Sequence, residues 1–512
     1  MARPVGTGEA EFLTTGSKRI DGKVNSVLEV TAASPQAHQP RMSRTSRLPW
    51  AALALAAVVL LPFLNKAYTI DDPVFLREAQ TVLTNPLHPS AFEMVWSSER
   101  HLRASEFLPG GPLAAYLLVP LALAGWQEWA GHLLMLVYFG IAIAATAALA
   151  RRFGLSRWAQ HAAALLTASA PVALGMAGTL MPDIPAMMFV ALGMERLMAW
   201  IQSHRWKAGT LAALFLALAV LSRINLLVLL AIAGYYALRQ SWVLRRDWHN
   251  VLPVVLAGVL VLLGLIVTSD PDATGGSAVS AVGRQLGFDF SGRHAVALLI
   301  AYLTTTPLLA AILTRKRLEP SALLWVWLLI PVPVIAYVQI APKYLLPALP
   351  AAAILAAYGL DRLASRRGLL ALISATGATF GFLILSADAR MSGTAREAAA
   401  QLIRPRVQAG DRVWFAGHWG FHWYAEAAGA VPLSVDPPFP SRGDIIVSSS
   451  VDKPVGLLPL VPRTLIETWG SSEPGGQVMS RHAGFYSDLW GLLPWWWERP
   501  LGPGFQAWRV TR

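Results

Sequence analysis

Two adjacent carboxylates, Asp71 and Asp72, are the first residues of this sequence that suggest chemistry. They stand just beyond the first long apolar run, 48–64, and Pro73 follows them. Neighbouring carboxylates repel each other and are costly to take out of water, so a membrane protein keeps such a pair most easily at a water-filled site. There the pair can bind a cation or take a proton. Asp followed by Pro is also a common helix start, so a capping role stays open.

The composition is typical of a protein that crosses a membrane several times. Of the 512 residues, 55% are hydrophobic and 14% are charged, and the mean hydropathy is +0.47. The chain has no cysteine, which excludes disulfides, thiolate catalysis and cysteine-based metal sites. The net charge of +12 does not collect on one soluble face, so it does not indicate nucleic-acid binding.

Apolar runs long enough to cross a bilayer recur along the chain, and they predict about eleven transmembrane helices. The predicted spans are 48–65, 131–150, 158–178, 184–201, 208–222, 224–238, 251–268, 295–313, 321–340, 344–360 and 369–387. The apolar stretch 208–238 is divided in two at the polar residues Arg223 and Asn225. Residues 1–45 are polar, lack an apolar period and are predicted to form a disordered cytoplasmic tail.

Lysines and arginines in the short loops predict the orientation. Basic clusters precede the first span and follow the second, fourth, sixth, eighth and tenth. Because basic loops stay on the cytoplasmic side, the N-terminus is predicted to be cytoplasmic, in an inner or plasma membrane. The membrane domain then covers 46–388 and has a long first outer loop at 66–130. Residues 389–512 are predicted to lie on the extracytoplasmic side.

The last part of the chain, 389–512, has a different character from the membrane domain. It contains a short amphipathic helix at 394–403 and strand-like runs at 412–416 and 444–449. Loops rich in Pro, Gly and Trp separate them. We therefore predict an α-helical multi-span membrane protein with a small C-terminal α/β soluble domain of about 120 residues.

Two helices are predicted within the first outer loop. Residues 72–83 have an amphipathic pattern, and the apolar stretch 113–123 is too short to span a bilayer. The second helix is therefore expected to lie in the membrane interface.

Charged residues of both signs are predicted to share the outer side. They are Asp71, Asp72, Glu78, Glu93, Glu99, Glu106, Asp183, Arg223 and Lys343. This distribution favours a catalytic cavity at a membrane surface. A channel or transporter needs polar groups through the depth of its spans, and the predicted spans are almost free of them. A lipid or sugar transporter or flippase remains the alternative function, and a scaffold would leave the acidic loop unexplained.

Several of these residues have a structural as well as a functional interpretation. Asp183, in the run MPDIP at 181–185, either caps the fourth span or faces the acidic pair across a cavity. Lys343 and Tyr344 either anchor a span at the interface or bind an anionic headgroup. Arg223 has the same two interpretations, and its place inside an apolar run favours the second.

Other motifs carry weaker signals. Glu93 is a candidate for substrate binding, whereas His88 and His101 in the same loop lack the spacing of a zinc site. The aromatic stretches 417–424 and 493–498 suit an interface or a domain core better than a sugar-stacking platform. Neither a glycine-rich phosphate loop nor a Gly-x-Ser-x-Gly elbow occurs, so an NTP-driven pump is unsupported.

Four motifs, in this order and on one side, resemble those of the GT-C glycosyltransferases. The acidic pair stands where that family usually shows Asp-Glu, and the run LPGGPLAAY at 108–116 is similar to its Pro-Pro-Leu-Tyr segment. Asp183 opens the fourth span. The run PKYLLPALP at 342–350 resembles the family's Arg-Tyr-Leu-Leu-Pro-Ala-Leu-Pro segment, with Lys343 in place of Arg. The resemblance covers about 48–390 and is greatest to aminoarabinose, lipopolysaccharide-core sugar and protein O-mannosyltransferases.

The resemblance implies an enzyme that takes a sugar from a polyprenyl-phosphate carrier at the outer face and inverts its anomeric centre. The acceptor would be a hydroxyl of a lipid, glycan or protein. Asp71 would be the base, and Asp72 would orient it or help it hold a divalent cation such as Mg or Mn. Lys343 and Arg223 would stabilise the leaving phosphate. Asp183 would bind the acceptor or share the cation, and Tyr344 and Glu93 would contact substrate.

Overall fold

An apolar helix opens the described part of the chain. The computed structural model describes residues 48–96, 99–107, 111–243, 248–272, 291–314, 322–450, 456–470, 473–502 and 504–512, without the side chains of 242 and 243. The predicted tail 1–45 and residues 108–110 of the LPGGPLAAY run lie outside these ranges, as do 315–321 of the basic loop near Lys316.

Helices make up most of the described chain. They are α1 Trp50–Leu60, α2 Asp72–Thr84, α3 Ala104–Phe107, α4 Leu113–Leu118, α5 Glu128–Arg152, α6 Arg157–Ala168, α7 Pro171–Ala177, α8 Asp183–Ser203, α9 Trp206–Ser222, α10 Leu227–Val243, α11 Leu252–Val267, α12 Gly292–Thr305, α13 Leu308–Leu313, α14 Ala322–Trp327, α15 Leu349–Leu360, α16 Arg366–Ala398, α17 Arg404–Gln408 and α18 Trp419–Ala427.

Six helical segments in the described ranges are long and apolar enough to cross a membrane. They are Glu128–Arg152, Asp183–Ser203, Ile224–Ser241, Trp248–Val267, Pro342–Leu360 and Arg366–Gln408. Four shorter apolar helical segments accompany them, at Trp50–Phe63, Leu113–Ala124, Trp206–Ser222 and Ala322–Ala336. The structure thus confirms a multi-span helical membrane fold, and the count of about eleven spans stays a prediction.

Prolines divide three of the predicted spans. The span 158–178 is two helices, because Pro171 begins α7 after a break at Ser169. Pro307 separates α12 from α13 within 295–313 in the same way. In 321–340, Pro331 and Pro333 lead from α14 into a 3₁₀ turn. A proline removes a backbone donor and disfavours helix for the residue before it, which the apolar runs alone do not reveal.

Helix α8 lies at the centre of the helical packing, against α5 and α9. It is buried nearly all round, from Ile184 to Ile201. This explains why the sequence of α8 has no polar stripe. Glu195 is an exception to the expected near-absence of polar groups in the spans, because it is buried in α8, where it pairs with Arg152 and Arg196.

The loop 66–130, which is predicted to lie on the outer side, contains the predicted amphipathic helix. Helix α2 buries Val74, Phe75, Ala79 and Val82, which confirms the pattern read at 72–83. A short antiparallel hairpin follows, with β1 at Glu93–Val95 and β2 at His101–Arg103. The predicted interfacial helix at 113–123 is α4 followed by a 3₁₀ turn, Val119–Ala124.

Strands β3 to β9 lie in the C-terminal part. They are β3 Val413–Ala416, β4 Val431–Pro432, β5 Ile445–Ser449, β6 Arg463–Trp469, β7 Gly475–Gln477, β8 Trp496–Glu498 and β9 Phe505–Val510. Five of them form a mixed sheet in the order β4-β3-β5-β9-β6, in which β3 is parallel to β4 and β5. Strands β7 and β8 form a separate hairpin. The predicted strands at 412–416 and 444–449 are thus confirmed, and a separate soluble domain stays a prediction.

One long helix connects the membrane part to this sheet. Helix α16 runs from Arg366 to Ala398 and continues through a π turn, Ala399–Ile403, into α17. The separate helix expected at 394–403 is therefore wrong, because those residues extend α16 and its π turn. The predicted domain boundary at 388 lies inside this continuous helix.

Candidate active site

The two adjacent carboxylates, Asp71 and Asp72, lie in different environments. Asp71 stands at the N-terminal end of α2 with its side chain 36% exposed, and this side chain makes no capping hydrogen bond. Asp72 is fully buried, and its two carboxylate oxygens accept the N–H groups of Thr69, at 2.9 Å, and Leu180, at 2.8 Å. Neither side chain therefore caps α2 by accepting a hydrogen bond from an N–H group of its first turn. Asp72 ties the loop before α2 to the loop before α8.

A strained residue precedes the pair. Ile70 has a φ of 40°, which is unusual for a β-branched side chain. Such conformations persist only where the surroundings impose them, and they cluster at functional sites. Here the hydrogen bonds to Asp72 on one side and the burial of Tyr68 on the other hold the loop in place.

Lys343 lies opposite Asp71. Its Nζ is 3.5 Å from Asp71 Oδ2 and 3.5 Å from the sulfur of Met181. Its side chain is 9% exposed, in the 3₁₀ turn Pro342–Ala348 that leads into α15. The long separation and the open carboxylate leave room for a group to enter between the two charges.

Arg223 and Tyr344 complete this group. Arg223 stands in extended backbone between α9 and α10, and its guanidinium forms an ion pair with Asp183 at the start of α8. Asp183, Tyr344 and Asp71 all lie close enough to act on the charge of Arg223. The Nε atom of Arg223 is buried without a hydrogen-bond partner. We call Asp71, Asp183, Arg223, Lys343 and Tyr344 the Asp71 cluster.

Close backbone packing positions the turn that carries Arg223. A Cβ atom on Gly111 would lie 1.8 Å from the carbonyl oxygen of Leu221, so only glycine fits there. Gly111 is the described end of the LPGGPLAAY run, and α4 follows it. The glycine therefore lets the first outer loop rest directly on the end of α9, next to Arg223.

A buried ion pair that sequence reasoning missed lies beneath the acidic loop. Lys66 Nζ is 2.8 Å from Asp388 Oδ2, and the two side chains are 0% and 1% exposed. Lys66 also donates to the carbonyl of Gly178 at 2.9 Å, and Thr69 Oγ1 donates to Asp388 Oδ1 at 3.1 Å. Lys66 and Asp388 each follow an apolar run, and the sequence analysis singled out neither of them. A single charge directly beyond an apolar run was the available signal.

Burial has the largest effect on the pKa of Asp72. Burial raises the pKa of Asp72 to about 7, against the opposing effects of Lys66 and the two backbone N–H groups. The Asp388 carboxylate adds to the upward shift. Asp72 thus belongs with the buried pair rather than with the open Asp71.

Glu93 makes its contacts away from the Asp71 cluster. It is exposed on β1, opposite Arg103 in the hairpin. Arg103 in turn binds both oxygens of Asp270, at 2.7 and 2.8 Å. The hairpin is therefore fixed to the loop after α11, and substrate binding by Glu93 stays a prediction.

The acidic pair does not form a cation site by its own geometry. Asp72 has both oxygens engaged by backbone N–H groups, and the Lys343 ammonium already faces Asp71. In the described ranges, no group of three or more His, Asp or Glu side chains converges as metal ligands do. The residues present therefore do not fit Mg or Mn between Asp71 and Asp72.

The described pockets lie beside α16. One is lined by residues that include Arg390, Thr394, Glu473 and Gln477, between α16 and the C-terminal loops. Another is lined by Tyr68, Thr69 and Ile70, next to Asp71 in the chain. We locate the candidate site at the Asp71 cluster because charged side chains from separate segments meet there.

The aromatic stretches of the C-terminal part serve mainly as packing. Trp423 and Tyr424 of α18 contact the ring of Tyr68, and the Tyr424 hydroxyl accepts the Tyr68 N–H at 2.8 Å. Trp495 packs against Phe380 of α16. Trp496 and Trp497 are the more exposed members of their stretch.

The fold is similar to that of solved multi-span membrane glycosyltransferases, as the resemblance to the GT-C glycosyltransferases implies. The family model described as dolichyl-phosphate-mannose-protein mannosyltransferase matches residues 109–269. No curated protein is close enough in sequence to match.

Solved structures show the same fold at low sequence identity. The apo structure of ArnT from Cupriavidus metallidurans has a TM-score of 0.53 and 14% identity, over 82% of this chain and 95% of that one. The Archaeoglobus fulgidus oligosaccharyltransferase with Zn and sulfate has a TM-score of 0.53 and 13% identity, over 79% and 68% of the chains. The same enzyme, AglB, with an inhibitory peptide and a dolichol-phosphate, has a TM-score of 0.51 and 11% identity, over 78% and 69%.

Proposed function

We propose that this protein is a membrane glycosyltransferase that moves a sugar from a polyprenyl-phosphate carrier to an acceptor hydroxyl on the extracytoplasmic side. The convergence of Asp71, Asp183, Arg223, Lys343 and Tyr344 carries the proposal. These residues come from four separate segments and place two cations beside one partly exposed carboxylate. The GT-C fold, and the dolichol-phosphate bound by one relative, support a lipid-phosphate donor.

Lys343 and Arg223 are the groups that would stabilise the leaving phosphate. A lipid phosphate gains negative charge as the bond to the sugar breaks, and fixed cations in a partly buried site stabilise that charge strongly. Lys343 is nearly buried, and Arg223 has an unpartnered Nε that is free to donate. Lys343 acts as a point charge, whereas Arg223 offers a planar fork of donors.

Asp71 is the group that would accept the proton of the acceptor hydroxyl. It is the open carboxylate of the cluster, and a base must reach the proton it removes. As the hydroxyl oxygen attacks the anomeric carbon, its proton passes to Asp71 and the carrier phosphate leaves on the opposite face. Asp183 would hold Arg223 in place through their ion pair, and Asp72 would orient the loop that presents Asp71.

No step of this mechanism needs a metal ion. The carboxylates at hand do not fit one, and the two cations already supply positive charge. A divalent cation such as Mg or Mn stays a prediction, which metal chelation during the transfer assay would check.

The test is transfer of labelled sugar from a panel of polyprenyl-phosphate donors in membranes that contain the full-length protein. The wild type should give labelled product with one of these donors. Asp71→Asn should give no labelled product. The control variant Asp272→Asn, which changes an exposed carboxylate, should give as much product as the wild type. Absence of product from every donor, with folded protein present, would overturn the transferase proposal and make lipid transport the next assay.

A further inference from the structure

One loop of the C-terminal part is buried against the helices of the membrane part. This loop, Phe485 to Asp488, has Phe485 and Tyr486 almost fully buried and Asp488 2% exposed. Its start is fixed to the C-terminal part by the hydrogen bond from Phe485 N–H to Val478 O, at 2.8 Å. Phe485 packs on Gly175 of α7, where a Cβ atom would lie 2.5 Å from the ring.

Asp488 clamps the segment that precedes Lys343. Its Oδ1 accepts the Ile340 N–H, and its own N–H donates to the Ile340 carbonyl, both at 2.8 Å. Its Oδ2 is 2.6 Å from His294 Nδ1 at the start of α12, and its carbonyl accepts from Arg293. Ile340 lies three residues before Lys343, with Ala341 and Pro342 between them. The position of the ammonium therefore depends on this clamp.

Tyr486 lies next to the buried Lys66–Asp388 pair. Its ring is buried beside Asp388. Its hydroxyl also interacts electrostatically with the carboxylates of Asp72 and Asp71. Burial and the Asp388 carboxylate raise the pKa of Tyr486, so its hydroxyl stays neutral. One loop thus contacts both the Lys343 segment and the buried pair beneath Asp71.

We propose that the loop Phe485 to Asp488 is a positioning element of the active site, which sets the separation of Asp71 and Lys343. Asp488 is its positioning residue and acts through the backbone of Ile340. This inference rests on the proposed transferase function and gives the C-terminal part a role in it. Misplacement of a reacting group by about 1 Å can cost 10²-fold in rate, so a clamp of this kind has a measurable effect.

The experiment compares three variants of the full-length protein in lipid nanodiscs. Asp488→Ala removes both side-chain contacts, and Asp488→Asn keeps an acceptor for the Ile340 N–H. Asp444→Ala is the matched control, because Asp444 also accepts two hydrogen bonds within the C-terminal part, from Trp414 Nε1 and the Ser441 N–H. Hydrogen exchange of the peptide covering 338–346 and the kinetics of sugar transfer are measured for each.

Asp488→Ala should raise exchange across 338–346 and lower kcat/KM for the donor by about 10- to 100-fold, mainly through kcat. Asp488→Asn should have exchange and kcat/KM values close to those of the wild type. Asp444→Ala should change neither quantity. In a Lys343→Arg background, Asp488→Ala should have a smaller effect than in the wild type, because residues that act through one another are not additive.

Hydrogen exchange decides the inference even if no donor is turned over. Unchanged exchange at 338–346 in Asp488→Ala, or an equal rise in Asp444→Ala, would overturn the positioning role. Additive kinetic effects of Asp488→Ala and Lys343→Arg would overturn it as well. If the wild type transfers no sugar but exchange rises only in Asp488→Ala, the proposed transferase function is contradicted. The contact of Asp488 with the Ile340 segment would still stand.

Discussion

Two lysine–aspartate pairs lie close to the loop 66–72, and they differ in almost every physical respect. Lys66 and Asp388 are 2.8 Å apart and fully buried, with further bonds to Gly178 and Thr69. Lys343 and Asp71 are 3.5 Å apart, and the carboxylate is 36% exposed. The first pair is closed to any third group, whereas the second leaves space for one.

This difference separates a structural pair from a reactive one. A buried ion pair cannot exchange partners without leaving a charge alone in the protein interior. An open pair at a longer distance is weakly held, and the donor phosphate and the acceptor hydroxyl can enter between its two charges. The two adjacent carboxylates are divided between these pairs. Asp72 lies next to the buried pair, and Asp71 is a member of the open one.

Breaking the buried pair should have the largest effect on stability. Lys66→Met leaves Asp388 unpaired in the interior and is expected to cost about 3–5 kcal/mol of the free energy of unfolding. Thermal melting and the yield of monodisperse protein in detergent measure this. The double variant Lys66→Met with Asp388→Leu should recover much of the loss. Wild-type melting in Lys66→Met alone would contradict the structural role of the pair.

Changing the open pair should affect transfer and leave the fold intact. Lys343→Met removes the charge beside Asp71 and is expected to lower the transfer rate by about 10²- to 10³-fold, as loss of one transition-state contact does. Lys343→Arg keeps the charge and should stay within about tenfold of wild type. Initial rates at saturating acceptor give the comparison. Equal losses in both variants would show that shape rather than charge matters at this position.

Displacing the Arg223 turn should have an intermediate effect. Gly111→Ala forces a methyl group against the Leu221 carbonyl, and overpacking of this kind costs about 1–3 kcal/mol. We expect lower melting together with a raised donor KM, because Arg223 moves with the turn. The matched control is Gly258→Ala in α11, where a Cβ atom meets nothing within 4 Å. Equal effects in the two variants would contradict the close approach.

The smallest expected effect is a change in pH dependence at Glu78. Burial raises the pKa of Glu78 from 4.5 to about 7, and one of its oxygens has no hydrogen-bond partner. Because the native state holds this proton more tightly than the unfolded state, its contribution is complete below pH 4.5 and is lost as the pH rises through 7. Melting temperature should therefore fall from pH 5 to 8.

Glu78→Gln should flatten that fall by about 1–4 °C, while Asp72, whose pKa is also about 7, keeps part of it. The exposed variant Asp272→Asn should melt with the wild-type pH dependence. An unchanged slope in Glu78→Gln would show that Glu78 is not the titrating group.

Sequence reasoning reached the open pair and missed the closed one, for a physical reason. Asp71, Asp183, Arg223 and Lys343 each interrupt or end an apolar run on the same predicted side, so their charge alone marked them. Lys66 and Asp388 also stand beyond apolar runs, which marks them as charges but not as a pair. Their partners, like those of Tyr486 and Asp488, lie far away in the chain, and no local pattern reveals such contacts. The proline breaks at Pro171 and Pro307 were visible in the sequence, but apolar run length outweighed them.

The most direct test compares Asp71→Asn with Asp72→Asn, measuring sugar transfer per folded molecule together with thermal melting. Asp71→Asn should melt like the wild type and lose transfer by about 10²-fold or more. Asp72→Asn places an amide N–H against a backbone N–H, so it should melt lower and keep a rate within about tenfold per folded molecule. A fully active Asp71→Asn, or an Asp72→Asn that melts normally and transfers nothing, would contradict the division between the open and the buried carboxylate.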